Sequence, residues 1–131
     1  MIVTDSSAIA ELLLARPRAE AIRSALAEHP ELHVPEHFHI EVLSVLRRYS
    51  IRGELGELRT AEALRALRTL RTLTYPASEM FEPIWAMRDR LSTYDAAYLA
   101  LAQSLDVSLL TLDAGIARAA AADGRLAALQ D

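Results

Sequence analysis

The sequence predicts an α/β protein: a three-layer α/β/α sandwich around a mostly parallel sheet of four or five strands. Short apolar runs recur at residues 2–5, 32–34, 73–75 and 107–112, each the length of a buried strand. Every gap between them holds at least one segment with helical apolar spacing, and parallel neighbours require such crossovers. The chain has 131 residues, 52% of them hydrophobic, with no break in composition, so residues 1–131 are expected to form one domain.

The elements follow in order. Ile2-Val3-Thr4 is a strand closed by Asp5, and a helix over 6–14 stops before Arg16-Pro17, because a proline disfavours helix in the residue before it. A second helix runs over 18–29, with Ala21, Ile22, Ala25 and Leu26 as its stripe and Pro30 at its end. Leu32-His33-Val34 is the second strand. Pro35-Glu36 opens a helix to Ile51, with Phe38, Val42, Leu43 and Leu46 as its inner face, and Gly53 or Gly56 interrupts it. The next helix reaches about Thr72, carrying Leu64, Leu67 and Leu70 at a spacing suited to helix packing or a dimer surface. Leu73-Thr74-Tyr75 is a third strand, ended by Pro76. Ser78 is a candidate cap for a helix with Met80, Phe81, Ile84, Trp85 and Arg88, in which Trp85, like Phe38, reads as core. Ser92 or Thr93 caps the helix that ends near Asp106. Residues 107–112 form the last clear strand, followed by an Ala-rich helix from Ala114 and a weak edge strand at 125–129.

Composition removes several functions. There is no Cys, which excludes disulfides, thiolate nucleophiles and cysteine-held zinc. All fourteen basic residues are Arg, so P-loop, Schiff-base and aspartyl-phosphate receiver chemistry, each of which needs a lysine, is excluded as well. No segment reads as a membrane span, and the first residues lack the pattern of a secretory signal, so a cytoplasmic location is expected. The net charge of −4 is unevenly placed. Seven arginines (47, 48, 52, 59, 65, 68 and 71) face three acids (54, 57 and 62), a local basic surface in an otherwise acidic chain. Arg47 and Arg48 lie two turns from Glu41 and are candidates for contacting a single-stranded nucleic acid, as is the aromatic Tyr94.

Four carboxylates stand where a parallel sheet would gather them at one edge. Asp5 and Asp113 end strands and precede helices; Glu41 and Asp95 lie in the first turns of two others. Each alone reads as a cap or a favourable charge at a helix start. Together they form an all-oxygen pocket that repels itself unless a cation is present, and such donors select Mg²⁺, with Mn²⁺ as a substitute. Hydroxyls at Ser6 and Thr111 are accessory candidates. His37-x-His39-x-Glu41 imitates alternating ligands on a strand, but a helix is expected there, where residues two apart diverge, so zinc is disfavoured.

The segments IVTDSSAI (2–9), PEHFHIEVLSVLRR (35–48), RDRLSTYDAAYLALAQSL (88–105) and LLTLDAGIARAA (109–120) resemble the successive motifs of a PIN-domain ribonuclease, specifically a VapC-type toxin of a toxin–antitoxin (VapBC) pair. The resemblance spans nearly the whole chain. It implies a Mg²⁺-dependent RNA endonuclease, a homodimer, and inhibition by a small VapB-like antitoxin. It also implies Asp5, Glu41, Asp95 and Asp113 as the catalytic and metal-holding quartet, with Ser6, Thr111 and Arg88 as accessory polar residues. Hydrolysis of RNA by a metal-activated water is the mechanism expected, with tRNA, ribosomal RNA and messenger RNA all open as substrates. Two departures from the family pattern are Asp106, where Gly or Ala is common, and the poorly marked last strand. The rival reading is a non-catalytic module of the same fold whose acidic pocket docks a partner's tail.

Overall fold

A computed structural model describes residues 1–130. The elements are β1 (Ile2–Thr4), α1 (Ser6–Leu13), α2 (Ala19–Leu26), β2 (Leu32–Pro35), α3 (Phe38–Ile51), α4 (Glu57–Thr69), β3 (Thr72–Tyr75), a 3₁₀ turn (Ala77–Glu79), α5 (Phe81–Ala86), α6 (Thr93–Leu105), β4 (Ser108–Leu110) and α7 (Ala114–Ala122). The strands form one sheet in the order β3-β2-β1-β4, all pairs parallel. Because β-α-β crossovers are right-handed, the steps from β1 to β2 to β3 put their helices on one face, and the return to β4 puts α5 and α6 on the other. That is the expected three-layer sandwich.

α6 is the keel of the core. Ala96 through Ala102 are buried without interruption, as expected of a helix packed on every side, and it rests against β1, β2 and β4. Its alanines let the helix lie close to the sheet, while Tyr98, Leu99 and Leu101 supply its larger side chains to the core that also holds Val3, Leu109 and Leu110. On the opposite face, Ile9, Ile22, Phe38 and Val42 are fully buried.

Four local expectations are corrected. Leu43 is 38% exposed rather than inward, since Phe38, Val42 and Leu46 already fill the inner stripe of α3. Trp85 is 67% exposed and Phe81 62% exposed. α5 has only six residues, and Ile84 with the flanking Met80 and Met87 occupies its buried side. Ser78 caps nothing: it lies inside the 3₁₀ turn, and Met80 precedes α5 without a side-chain cap. The last clear strand covers only 108–110, because Thr111 and Leu112 turn toward Asp113.

The weak final strand is reduced to one parallel bridge, Leu109 to Leu126, closed by backbone bonds from Leu109 N to Arg125 O (2.7 Å) and Ala127 N to Leu109 O (2.9 Å). Asp106 takes the left-handed cap of α6 at φ 55°, a position that favours Gly but that Asp tolerates, and Arg125 pairs with it at 3.0 Å. The departure from the family pattern at this residue is therefore one that the left-handed backbone tolerates. No helix among the described residues is long and apolar enough to cross a membrane.

Candidate active site

The direction of chain winding reverses between β1 and β4, and in open α/β sheets the crevice outside the carboxyl ends of such a strand pair is where ligands bind. Asp5 follows β1 directly and Asp113 stands just beyond β4, so both lie at that crevice. α1, α3, α6 and α7 begin at the same edge and direct the positive ends of their dipoles toward it.

Asp5 is the buried member, only 2% exposed. Its Oδ1 accepts from the Ala8 backbone N–H at 3.1 Å, capping α1. Thr111 Oγ1 donates to Oδ2 at 2.6 Å, and Ser7 Oγ lies 2.8 and 2.9 Å from the two oxygens. The same hydroxyls accept from the backbone after β4: Leu112 N–H reaches Ser7 Oγ at 2.9 Å and Asp113 N–H reaches Thr111 Oγ1 at 3.0 Å. Ser7 and Thr111 thus bolt the two strand ends together through the Asp5 carboxylate. Burial pushes the Asp5 carboxyl up to about 6, against the pull of these hydroxyls, and Asp113 adds repulsion. Asp113 is exposed and caps α7 by accepting from Ile116 N–H at 2.9 Å. At Gly115 a side chain would begin 3.3 Å from Asp113 Oδ1, so the glycine keeps this carboxylate uncrowded.

Glu41 is held from the core side. The buried Tyr98 donates its hydroxyl to Glu41 Oε1 at 2.6 Å, and Ser6 Oγ approaches the same oxygen at 3.4 Å. Burial and this bond push the Tyr98 phenol well above its ordinary range, which keeps it a donor. His37, one turn before Glu41, sits with Nε2 3.6 Å from Oε1 and 3.0 Å from the Tyr94 carbonyl. Asp95 lies in the first turn of α6, whose N-cap Ser92 accepts from Asp95 N–H at 3.1 Å. Its carboxyl is raised first by burial, then by repulsion from Asp113 and Glu41. Each of the four acids is therefore linked to another by repulsion across one edge, Asp5 with Asp113, and Asp113 and Glu41 with Asp95.

Among the described residues none of the arginine ion pairs involves any of the four. Nor do any three carboxylate or imidazole groups converge as a closed chelate. The donor set still fits a magnesium ion. That ion retains several waters and is commonly held by one or two carboxylates directly, and hard oxygens with uncompensated mutual repulsion are what it neutralises.

The remaining candidates are spread more widely. Ser6 faces Glu41, and the neighbouring Ser7, which no sequence pattern distinguishes, is the serine on Asp5. Arg88 turns onto Trp85, 5.1 Å above its ring and bonded to its carbonyl at 3.1 Å, with no contact to the acids. Arg47 and Arg48 are exposed on α3, and Arg47 lines the groove between α3 and α4 with Leu43, Ile51 and Leu64. Tyr94 is 64% exposed beside Asp95 and meets the His37 ring edge-on at 5.5 Å. Sequence reasoning does not foresee the bond from the Tyr98 hydroxyl to Glu41, nor His37 as a neighbour of that glutamate. A tyrosine in an alanine-rich buried helix needs a hydroxyl partner, and a histidine four residues before a glutamate shares its helix face; both are usable signals.

Comparison with known proteins gives a consistent picture. The family described as PIN domain matches residues 2–122. The chain is 38% identical over 113 residues to VapC ribonuclease Mb0985 of Mycobacterium bovis, covering 86% of each chain. It is 37% identical over 119 residues to ribonuclease VapC3 of Mycobacterium tuberculosis, covering 90% of this chain and 86% of that one. Among solved structures, VapC20 of M. tuberculosis, a sarcin–ricin loop cleaving toxin, superposes with a TM-score of 0.69 at 18% identity, over 99% of this chain and 100% of that one. PAE2754 of Pyrobaculum aerophilum gives 0.66 at 21% identity, over 89% of this chain and 77% of that one. At these identities the two structures speak to the fold alone.

Proposed function

The chain belongs to the PIN-domain family, and from that premise we propose that it is a Mg²⁺-dependent endoribonuclease, the toxin of a VapC-type toxin–antitoxin pair. The observation that carries the proposal is the acidic edge itself: a buried carboxylate, Asp5, bolted between β1 and β4 and repelled by Asp113, which together with Glu41 also repels Asp95, and no arginine ion pair among the described residues to offset them. Relatives at 37–38% identity carry the name ribonuclease, which supports an RNA substrate.

In this reading Asp5 and Asp95 would hold Mg²⁺ chiefly, with Glu41 and Asp113 completing the site directly or through water. A divalent ion so bound supplies Lewis-acid charge, which makes water a competent nucleophile near neutral pH and offsets negative charge on the phosphate under attack. The protein's own part is orientation. Ser7 and Thr111 fix the Asp5 oxygens, Tyr98 and Ser6 fix Glu41, and Ser92 fixes the turn that carries Asp95. Arg47, Arg48 and the open face of Tyr94 offer cations and a stacking surface to a single strand. A small VapB-like antitoxin is the expected inhibitor. A homodimer is expected too, and the exposed Phe81 and Trp85 supply an apolar patch for it.

The rival reading, an acidic dock for a partner's tail, draws support from the two caps that Asp5 and Asp113 provide. It leaves unexplained why a buried carboxylate is kept beside further like charges. The experiment is to express the chain and its Asp5→Asn variant in cells and sequence the RNA ends that appear. New, site-specific ends with the wild type alone support the nuclease. A folded Asp5→Asn protein that cuts as well as the wild type would refute it, and calorimetric silence toward Mg²⁺ and Mn²⁺ would favour the dock.

A further inference from the structure

His37 occupies the N-cap position of α3, where Ser, Thr, Asp or Asn normally serves, and its side chain makes no capping bond. The imidazole instead crosses to α6. Its Nε2 lies 3.0 Å from the Tyr94 carbonyl oxygen, which can only accept, so this nitrogen carries the proton. A carbonyl in the first turn of a helix retains a second lone pair beyond its helical bond, so the contact costs α6 nothing. The ring is also wedged between two tyrosines, 5.1 Å from Tyr98 and 5.5 Å from Tyr94, which limits its rotation. On either side of this wedge stand the two half-buried acids: Glu41 one turn along α3, and Asp95 immediately after Tyr94. The α3 helix thus gives up a cap, and the bond it gains runs to the helix that bears another acid.

We propose that His37 is a positioning residue, whose Nε2–H on the Tyr94 carbonyl sets the separation between Glu41 and Asp95 and so the competence of the acidic edge for a divalent ion. This rests on the nuclease reading, and it adds a residue outside the acidic quartet. Two variants separate the ring from the donor. His37→Phe keeps the aromatic wedge and loses the N–H; His37→Gln loses the ring and presents an amide N–H at a similar reach.

Mn²⁺ binding is measured by calorimetry on each purified protein, beside steady-state cleavage of an RNA oligonucleotide bearing the site mapped for the wild type. For His37→Phe, Mn²⁺ affinity and kcat are each expected to fall about tenfold with KM changed less than about twofold, since small misplacements of reacting groups act on turnover. His37→Gln is expected to recover most of both. Equal Mn²⁺ affinity and kcat in His37→Phe and the wild type would overturn the role of His37 while leaving the nuclease intact, as would a failure of His37→Gln to improve on His37→Phe. A wild type that neither binds Mn²⁺ nor cuts RNA would instead overturn the functional reading, and the role of His37 with it.

Discussion

Replacing Asp5 with Asn is expected to abolish cleavage and, in the absence of metal, to make the folded protein more stable at neutral and alkaline pH. A carboxyl raised from 3.8 to about 6 by burial disfavours its own ionised form in the fold, by about 3 kcal/mol. The sign follows from protonation. Below pH 3.8 the acid is neutral in both folded and unfolded chains, and the penalty is absent; it grows as pH rises toward about 6 and is constant above that. Asn is neutral throughout. Its carbonyl can still accept from Ala8 N–H, but its amide must face Ser7 or Thr111, whose hydroxyl, already accepting from the backbone, then accepts a second bond and loses the acceptor for its own proton. That rearrangement costs about 1 kcal/mol.

The net expectation is a gain of about 2 kcal/mol for Asp5→Asn well above pH 6, which is on the order of 5 °C in Tm, reversing to a small loss near pH 4. Calorimetric melting of both proteins in chelator, across this pH range, measures it. With millimolar Mg²⁺ the wild type should recover the difference and the variant should not, because an ion that binds only the folded state stabilises it. A melting-temperature difference that is the same at both ends of the pH range would refute the reasoning, since it would mean that Asp5 is not held ionised against its surroundings.

Thr111→Val keeps the shape but removes the hydroxyl shared by Asp5 and Asp113 N–H; a loss of about 1–3 kcal/mol in urea unfolding is expected, with the Asp5 carboxyl driven further up in an NMR titration. Tyr98→Phe deletes the 2.6 Å bond to Glu41 and should cost about 1 kcal/mol in the same assay, with weaker Mn²⁺ binding. Removing Arg47 and Arg48 together, in the inactive Asp5→Asn background, should weaken RNA binding and flatten its salt dependence by about one ion for each arginine removed, measured as the slope of log affinity against log salt.

Most of the scaffold is legible in the sequence because strand length, proline position and helical stripes are local properties. Pro76 sits at the expected end of β3, Pro30 lies in the connection between β2 and an α2 that already ends at Leu26, and the acids at 5 and 113 stand at strand-to-helix turns and cap the helices that follow. What is not legible depends on distant partners. Trp85 reads as core by hydrophobicity, but a six-residue helix has one buried side, and Ile84 fills it. Ser6 and Ser7 are equivalent in sequence; only the turn after Asp5 decides that Ser7 meets that carboxylate while Ser6 reaches toward α3. The weak strand expected at 125–129 survives only as the isolated pairing of Leu126 with Leu109, because how far a ladder extends depends on the partner strand.

Thr111 and Asp5 are separated by 106 positions, yet the bond between them is among the shortest at the acidic edge. A ribosome that has delivered the first hundred residues has therefore made three strands and five helices but none of the wall that β4 contributes. Contacts of such long range form last. On the nuclease reading, this places the onset of activity after the late strand has emerged from the machine that is reading an RNA.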